Sequence, residues 1–224
     1  MDWLYASLLG YIFGSIPTAW LICKIFYKIN IFEHGSKNMG STNVYRTVGA
    51  KAFAGTLSID VLKGMLPVLL AGKFWPEHPQ VIFAAAAFAM IGHTLSFWVK
   101  FKGGKGIATG LGVFIAMAGN SALLALAVFM VVLLLCRMVS VSSIMAALSL
   151  PCFIWYNHEL GVYNPYITGF AVAVALFVTY KHKSNISRII KGTEAKLPLF
   201  SPKAEASTET KKETTEVSKP EEKQ

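Results

Sequence analysis

Charge is scarce in this chain. Only 15% of its 224 residues are Asp, Glu, Lys or Arg, where soluble domains average about 25%. Cysteine is scarcer: Cys23, Cys136 and Cys152 all sit in apolar runs, with no CxxC and no His/Cys metal spacing. An odd, scattered set of thiols excludes a disulfide framework and a zinc site, and reads as small buried apolar residues. Several motifs are also missing. There is no GxSxG elbow, hence no α/β-hydrolase nucleophile. A Walker A loop needs Gly at 99 and Ser or Thr at 106, and the chain has Val99 and Gly106. No histidine stands in an HxxxxD pattern, so the usual His/Asp pair for activating a hydroxyl is absent. No His/Cys/Asp/Glu cluster suggests a metal, and no cofactor is expected.

What the chain has instead is apolar surface in blocks. It is 54% hydrophobic, with mean hydropathy +0.51. Such blocks read as an all-α, multi-pass integral membrane protein in one bundle. The formal net charge is +9; the tail from Ser201 to Gln224 holds five Lys and six Glu, leaving +10 on the preceding 200 residues. In a membrane protein, basic residues mark cytoplasmic loops or attract anionic head groups. They form no soluble patch with interleaved aromatics, so no nucleic-acid partner is expected. Residues 1–200 read as the membrane domain. Residues 201–224, rich in Lys, Glu, Ser and Thr, read as a disordered charged tail.

Seven spans are expected. The first runs from Trp3 to Phe26. Its leading residues carry Asp2 rather than Lys or Arg and no clear cleavage site follows, which argues against a signal peptide; Pro17 introduces a kink. Ala52–Leu70 and Val81–Val99 follow. Ile107–Cys136 is about thirty apolar residues, roughly 45 Å of helix, against a hydrocarbon core of about 30 Å. A turn at Gly119–Asn120 divides it into two short helices and puts every basic loop on one side, as the positive-inside tendency requires. Val139–Tyr156 and Val162–Tyr180 complete the bundle. The N-terminus is then outside and the C-terminus cytoplasmic.

Four polar stretches fall on the cytoplasmic side of that topology. They are Gly35–Gly49, Lys100–Thr109, Arg137–Ser143 and His182–Glu194. Each mixes lone cations with Gly, Asn, Ser or Thr, the residue types that supply donors to anionic oxygens. They imply a convergent anion site at the membrane edge. Asp60 and Lys63, at i and i+3 in the second span, share a helix face. A structural ion pair and a direct role in chemistry are both open for them, and His93 is likewise either a buried structural histidine or a site residue. A transporter of an organic phosphate would share these features, but it predicts access from both faces and inverted repeats, and no repeat is visible.

Three stretches in order, GSKNMGSTNVYRTVG, GHTLSFWVKFKGGKGIAT and NISRIIKGTEAK, resemble the signatures of the bacterial acyl-phosphate glycerol-3-phosphate acyltransferases, the PlsY family. The resemblance runs to about Lys196. It implies transfer of a fatty acyl group from acyl-phosphate to the 1-hydroxyl of sn-glycerol 3-phosphate, giving 1-acyl-glycerol 3-phosphate and inorganic phosphate. This is the first step of phospholipid synthesis, in the bacterial cytoplasmic (inner) membrane, with the active site on the cytoplasmic side. The implied partners are both substrates, membrane lipid and a peripheral acyl-phosphate-producing acyltransferase, PlsX. Lys105 with the backbone N–H groups of Gly103, Gly104 and Gly106 is expected to hold phosphate. Ser36, Asn38, Thr42, Asn43, Arg46, Thr109 and Ser143 are expected at the substrates. His182 and Asn185 match a pair that positions glycerol 3-phosphate, and Glu194 is a supporting residue. The proton acceptor is either His182 or the acyl-phosphate's own phosphate, and the good leaving group favours the second.

The topology has a direct check. A membrane-impermeant amine reagent added outside intact cells should leave Lys183 unlabelled until the membrane is opened; labelling from outside would overturn the assignment.

Overall fold

A computed structural model describes residues 1–157 and 164–197. Most of the expected 157–164 connection, the first residues of the Val162–Tyr180 span and the tail from Ser201 lie outside them. Among the described residues the fold is helical, with no strand. The elements are α1 (Asp2–Ser15), α2 (Thr18–Phe26), α3 (Ser41–Val48), α4 (Ala50–Phe74), α5 (Pro79–Thr94), a 3₁₀ turn (Phe97–Val99), α6 (Ile107–Met117), α7 (Gly119–Cys136), α8 (Val139–Asn157), α9 (Asn164–Lys181) and α10 (Lys183–Ile190). Five stretches are long and apolar enough to cross a membrane: Asp2–Phe26, Ala50–Phe74, Pro79–Val99, Gly119–Cys136 and Val139–Asn157. Ile107–Met117 and Pro165–Lys181 are apolar but shorter.

Small residues bring these helices together. In lipid, association relies on close packing rather than on expelling water. A Cβ on Gly10 would stand 2.3 Å from the Ala85 carbonyl oxygen, and one on Gly14 2.1 Å from that of Ala89. α1 and α5 therefore run parallel with their backbones nearly touching. α4 and α6, also parallel, repeat the device: Gly64 meets Thr109, and Gly112 meets Val61, each with no room for a Cβ. A second layer of bulkier residues, including Phe114, Met90, Leu150 and Ile154, joins α5, α6, α8 and α9 into one core.

Two expectations change in detail. Pro17 does more than kink the first span: α1 stops at Ser15 and α2 starts at Thr18. Proline has no N–H to continue the ladder, so carbonyls at the break need other donors. Lys63 Nζ reaches the Ile16 carbonyl at 2.7 Å, and the Ser96 hydroxyl donates to that of Ser15. The long run 107–136 breaks at Ala118, one residue before the expected turn, and the two halves fold back on each other. Met117 and Ala122 meet in one core region, while Gly106 and Phe129 line one cavity.

α6 is short. Eleven residues span roughly 16 Å, about half of the hydrocarbon thickness. Its first turn lies opposite Gly64, so the start of α4 runs on roughly 20 Å beyond it at 1.5 Å per residue. The loop ahead of α6 is thus recessed among longer helices.

The close approaches make unequal predictions for glycine. Gly14→Ala should lower stability by at least about 1–3 kcal/mol, the usual cost of overpacking. Gly169→Ala in α9, where a Cβ meets nothing within 4 Å, should be neutral or slightly stabilising. Thermal unfolding in detergent compares the two.

Candidate functional site

The recessed loop between α5 and α6 carries Lys105. It leaves α5 through the 3₁₀ turn, then reverses at Lys100 and Phe101, both left-handed with φ of 54° and 61°. Gly103 N–H donates to the Thr94 carbonyl at 3.2 Å and Gly104 N–H to that of His93 at 3.1 Å. This corrects the expected phosphate cradle. Those two amides are spent inside the protein, and their glycines are needed because a Cβ would strike His93 or Thr94. Gly106 differs: at φ 85° it caps α6, whose first-turn N–H groups have no intrahelical partner.

Lys105 is half-buried and donates from Nζ to Asn185 Oδ1. Asn185 Nδ2 donates to Glu194 Oε1 at 2.7 Å, and Arg188 Nε to Glu194 Oε2 at 2.7 Å. The row Lys105–Asn185–Glu194–Arg188 joins the recessed loop to α10 and to the segment after it. Asn185 and Arg188 are one turn apart on α10, so both reach Glu194. The same segment is tied elsewhere. Arg46 reaches the Ala195 carbonyl at 3.4 Å, and Leu197 N–H donates to the Arg137 carbonyl at 2.8 Å.

The charges follow from this packing. Burial lowers the Lys105 pKa to about 8; Glu194 pulls it up, while Arg188, Arg46 and Lys181 push it down. His182 is lowered to about 4 by burial and by Lys105, against a hydrogen bond to Val178 and the charge of Glu194. Its Nδ1 faces the Val178 carbonyl at 2.8 Å, so Nδ1 carries the proton and Nε2 keeps a lone pair. Burial raises the Glu194 pKa, but hydrogen bonds from Asn185 and Arg188, the nearby Ser140 hydroxyl and the Arg188 charge outweigh it and leave it below the usual value.

The segment 31–48 approaches from another side, with the Met39 carbonyl against Gly104. Asn43 organises it. Its buried Nδ2 faces the carbonyls of Ile31, His34 and Asn38 at 3.0–3.3 Å. Its Oδ1 accepts from Ser36 N–H at 2.7 Å. Gly35 is left-handed at φ 55°, and a Cβ there would strike that same oxygen. Asn43 therefore shapes the loop from within. Ser36 and Arg46 are exposed on it, and Asn38 and Thr42 are partly exposed.

Beside Gly106 opens an apolar cavity of about 80 Å³ between α6, α7, α8 and α9. Phe114, Phe129, Leu150 and Val174 line it, and Ser143 stands at its polar end with Gly106. Ser143 donates to Val139, which leaves its oxygen free to accept.

The structure thus brings Lys105, His182, Asn185, Glu194 and Arg46 together, with Gly106 and Ser143 adjoining. It separates four others. Thr109 is buried in the α4–α6 interface against Gly64, because residue 109 points to α4 rather than to the helix end. Asp60 and Lys63 form a buried ion pair of 2.7 Å, at the broken first span rather than at the anion site. His93 lies beneath the glycine turn. Arg188 and Ser140 were not singled out from the sequence; the i, i+3 step from Asn185 was the available signal for Arg188. Among the described residues no group of three His, Cys, Asp or Glu side chains is placed to hold a metal.

Comparison with known proteins was made on this geometry. The family model described as glycerol-3-phosphate acyltransferase matches residues 4–192. A glycerol-3-phosphate acyltransferase of Trichlorobacter lovleyi is 46% identical over 187 residues, covering 84% of this chain and 93% of that protein. That of Fusobacterium nucleatum is 41% identical over 188 residues, covering 84% and 94%. The crystal structure of PlsY, an integral membrane glycerol 3-phosphate acyltransferase, in its glycerol 3-phosphate form superposes with a TM-score of 0.81 at 31% identity, covering 88% of this chain and 96% of that one. Its lysophosphatidic acid form gives 0.79.

Asn43 offers a test of the loop. Asn43→Asp keeps the shape but turns three N–H···O contacts into facing oxygens. It should destabilise the 31–40 segment more than Asn43→Ala, by at least about 1–3 kcal/mol, read as faster proteolytic cleavage between residues 28 and 40.

Proposed function

The chain belongs to the glycerol-3-phosphate acyltransferase family, and we propose that it moves a fatty acyl group from acyl-phosphate to the 1-hydroxyl of sn-glycerol 3-phosphate. The observation that carries this reading is the cationic row at Lys105, set against the mouth of a nearly pure apolar cavity. Acyl-phosphate has that same division into dianionic head and apolar chain.

In this reading Lys105, the N-terminal turn of α6 at Gly106, and Ser143 receive the acyl-phosphate head. The start of its chain enters the cavity, and the rest lies among the helices. Ser36 and Arg46 face the phosphate of glycerol 3-phosphate, where Arg46 gives bidentate contacts. Asn38, Thr42 and Asn43 hold that loop in shape. Glu194 fixes the amide of Asn185, and Asn185 and His182 orient the acceptor. With its pKa lowered to about 4, His182 is neutral at physiological pH and a weak base. Its Nε2 lone pair accepts a hydrogen bond from the acceptor's other hydroxyl, which leaves the 1-hydroxyl proton free to pass to the phosphate. The 1-hydroxyl oxygen attacks the acyl carbonyl carbon, the bond from that carbon to the phosphate oxygen breaks, and the departing phosphate takes the hydroxyl proton. The products are 1-acyl-glycerol 3-phosphate and inorganic phosphate. Lys105 and the α6 N-terminus stabilise the negative charge that develops in the transition state.

The same reading gives seven spans, with the N-terminus outside and the site on the cytoplasmic side of a bacterial inner membrane. The loop-charge pattern supports it. A peripheral acyl-phosphate-producing enzyme such as PlsX supplies the donor. Residues 1–200 form the catalytic domain, consistent with a family match ending at 192, and 201–224 form an appended charged tail.

Purified protein should release phosphate from a synthetic acyl-phosphate only when glycerol 3-phosphate is present, without coenzyme A. No release, or equal release without the acceptor, overturns the reading. Lys105→Ala should lower turnover at least about 10²–10³-fold in a protein that still inserts and folds. Because Lys105 must stay protonated and its pKa is lowered to about 8, wild-type kcat/KM should fall as pH rises through that value.

A further inference from the structure

We infer that His93, buried under the glycine turn, is a positioning residue that sets the place of Lys105 through direct contact with Gly104. The inference rests on the reading of Lys105 as the phosphate-binding cation.

His93 is 3% exposed and lies at the last turn of α5. It holds the turn twice. Its carbonyl accepts the Gly104 N–H at 3.1 Å. Its ring occupies the space that a Gly104 side chain would need: Nε2 lies 2.3 Å, and Cε1 2.9 Å, from the position of a Cβ there. The residue after Gly104 is Lys105. A floor under Gly104 therefore fixes the base of the Lys105 side chain, and so where its ammonium meets Asn185.

The ring is itself braced. Nδ1 lies 3.9 Å from Asp60 Oδ1 and makes no hydrogen bond. Asp60 pairs with Lys63 at 2.7 Å, and Lys63 holds the Ile16 carbonyl. The intramembrane ion pair thus stands behind His93, as His93 stands behind the glycine turn. Without the ring, only the two backbone hydrogen bonds from Gly103 and Gly104 hold the turn off the Asp60–Lys63 pair. The turn would settle inward and draw Lys105 away from Asn185, Glu194, Arg188, Arg46 and Lys181, the groups that set its charge.

The test is a double-mutant cycle with two readouts. Acyl transfer to glycerol 3-phosphate is measured for wild type, His93→Ala, Gly104→Ala and the double variant. Backbone amide exchange of residues 100–106 is measured in the same four proteins without substrate. Gly104→Ala should lower kcat/KM about 30-fold or more alone, but less than about tenfold in the His93→Ala background, where the ring is gone and the Met39 carbonyl, 3.0 Å from that Cβ, is the remaining close contact. His93→Ala should speed exchange of the Gly103 and Gly104 amides and shift the alkaline limb of kcat/KM, because Lys105 leaves the charged groups around it. His93→Asn, which keeps part of the bulk, should recover some of each. Additive losses in the cycle, or unchanged exchange at residues 103 and 104 in His93→Ala, would overturn the inference. If the wild type fails to use acyl-phosphate, the proposed donor is wrong, and amide exchange still decides the place of His93. Variants that do not fold are identified by thermal unfolding, and His93→Asn then carries the comparison.

Discussion

A lysine ammonium resting on a backbone carbonyl where a helix breaks is the contact on which this architecture hangs. Pro17 ends α1, and the Ile16 carbonyl, which accepts the Thr18 N–H at 3.0 Å, has a second lone pair to fill inside a membrane bundle, where backbone polar groups must find their partners within the protein. Lys63 satisfies it at 2.7 Å, yet a lone ammonium there would cost more than it saves. Asp60, one turn earlier on α4, supplies the counter-charge. Three elements are locked in register by this arrangement: the broken first span, the middle of α4 and the end of α5. The recessed loop takes its position from them.

Much of the fold was legible in the sequence because bilayers impose coarse rules. Apolar run length located the five long apolar helices, and together with loop charge it located the division of the 107–136 run. They missed by one residue at Ala118, where turn chemistry rather than hydropathy decides. The small-residue contacts were not legible. Gly10, Gly14 and Gly64 are visible as letters, but what each approaches depends on a helix distant in sequence. The same ambiguity misled the reading of the glycine turn. A glycine that lets an amide face an anion and one that lets a neighbour come close look identical in one dimension. Gly103 and Gly104 proved to be the second kind, and Gly106 alone caps a helix. Asn43 was legible as part of a polar loop but not as its internal scaffold, since that role needs three carbonyls gathered around one amide.

The candidate site is held by its own opposite charges. Lys105, Arg188 and Arg46 would repel one another in a half-buried space, and Glu194 with the Asn185 amide keeps them in place. This ordering precedes any substrate, which is the condition under which fixed charges and dipoles lower a barrier most effectively. It also explains why α10 is short, basic and amphipathic: one face presents His182 and Asn185, and the other leaves Lys183 and Ile190 exposed.

The half-length helix α6 has a consequence for lipid traffic. An enzyme that worked at the membrane surface would have to lift part of its lipid substrate into water, at about 0.8 kcal/mol for each methylene exposed. Here the cationic Lys105 sits on a loop recessed among longer helices. Only the head group and the small polar acceptor need to travel. In the proposed reaction, substrate and product would then keep their chains in oil throughout, and the transfer would reduce to a lateral exchange within one leaflet.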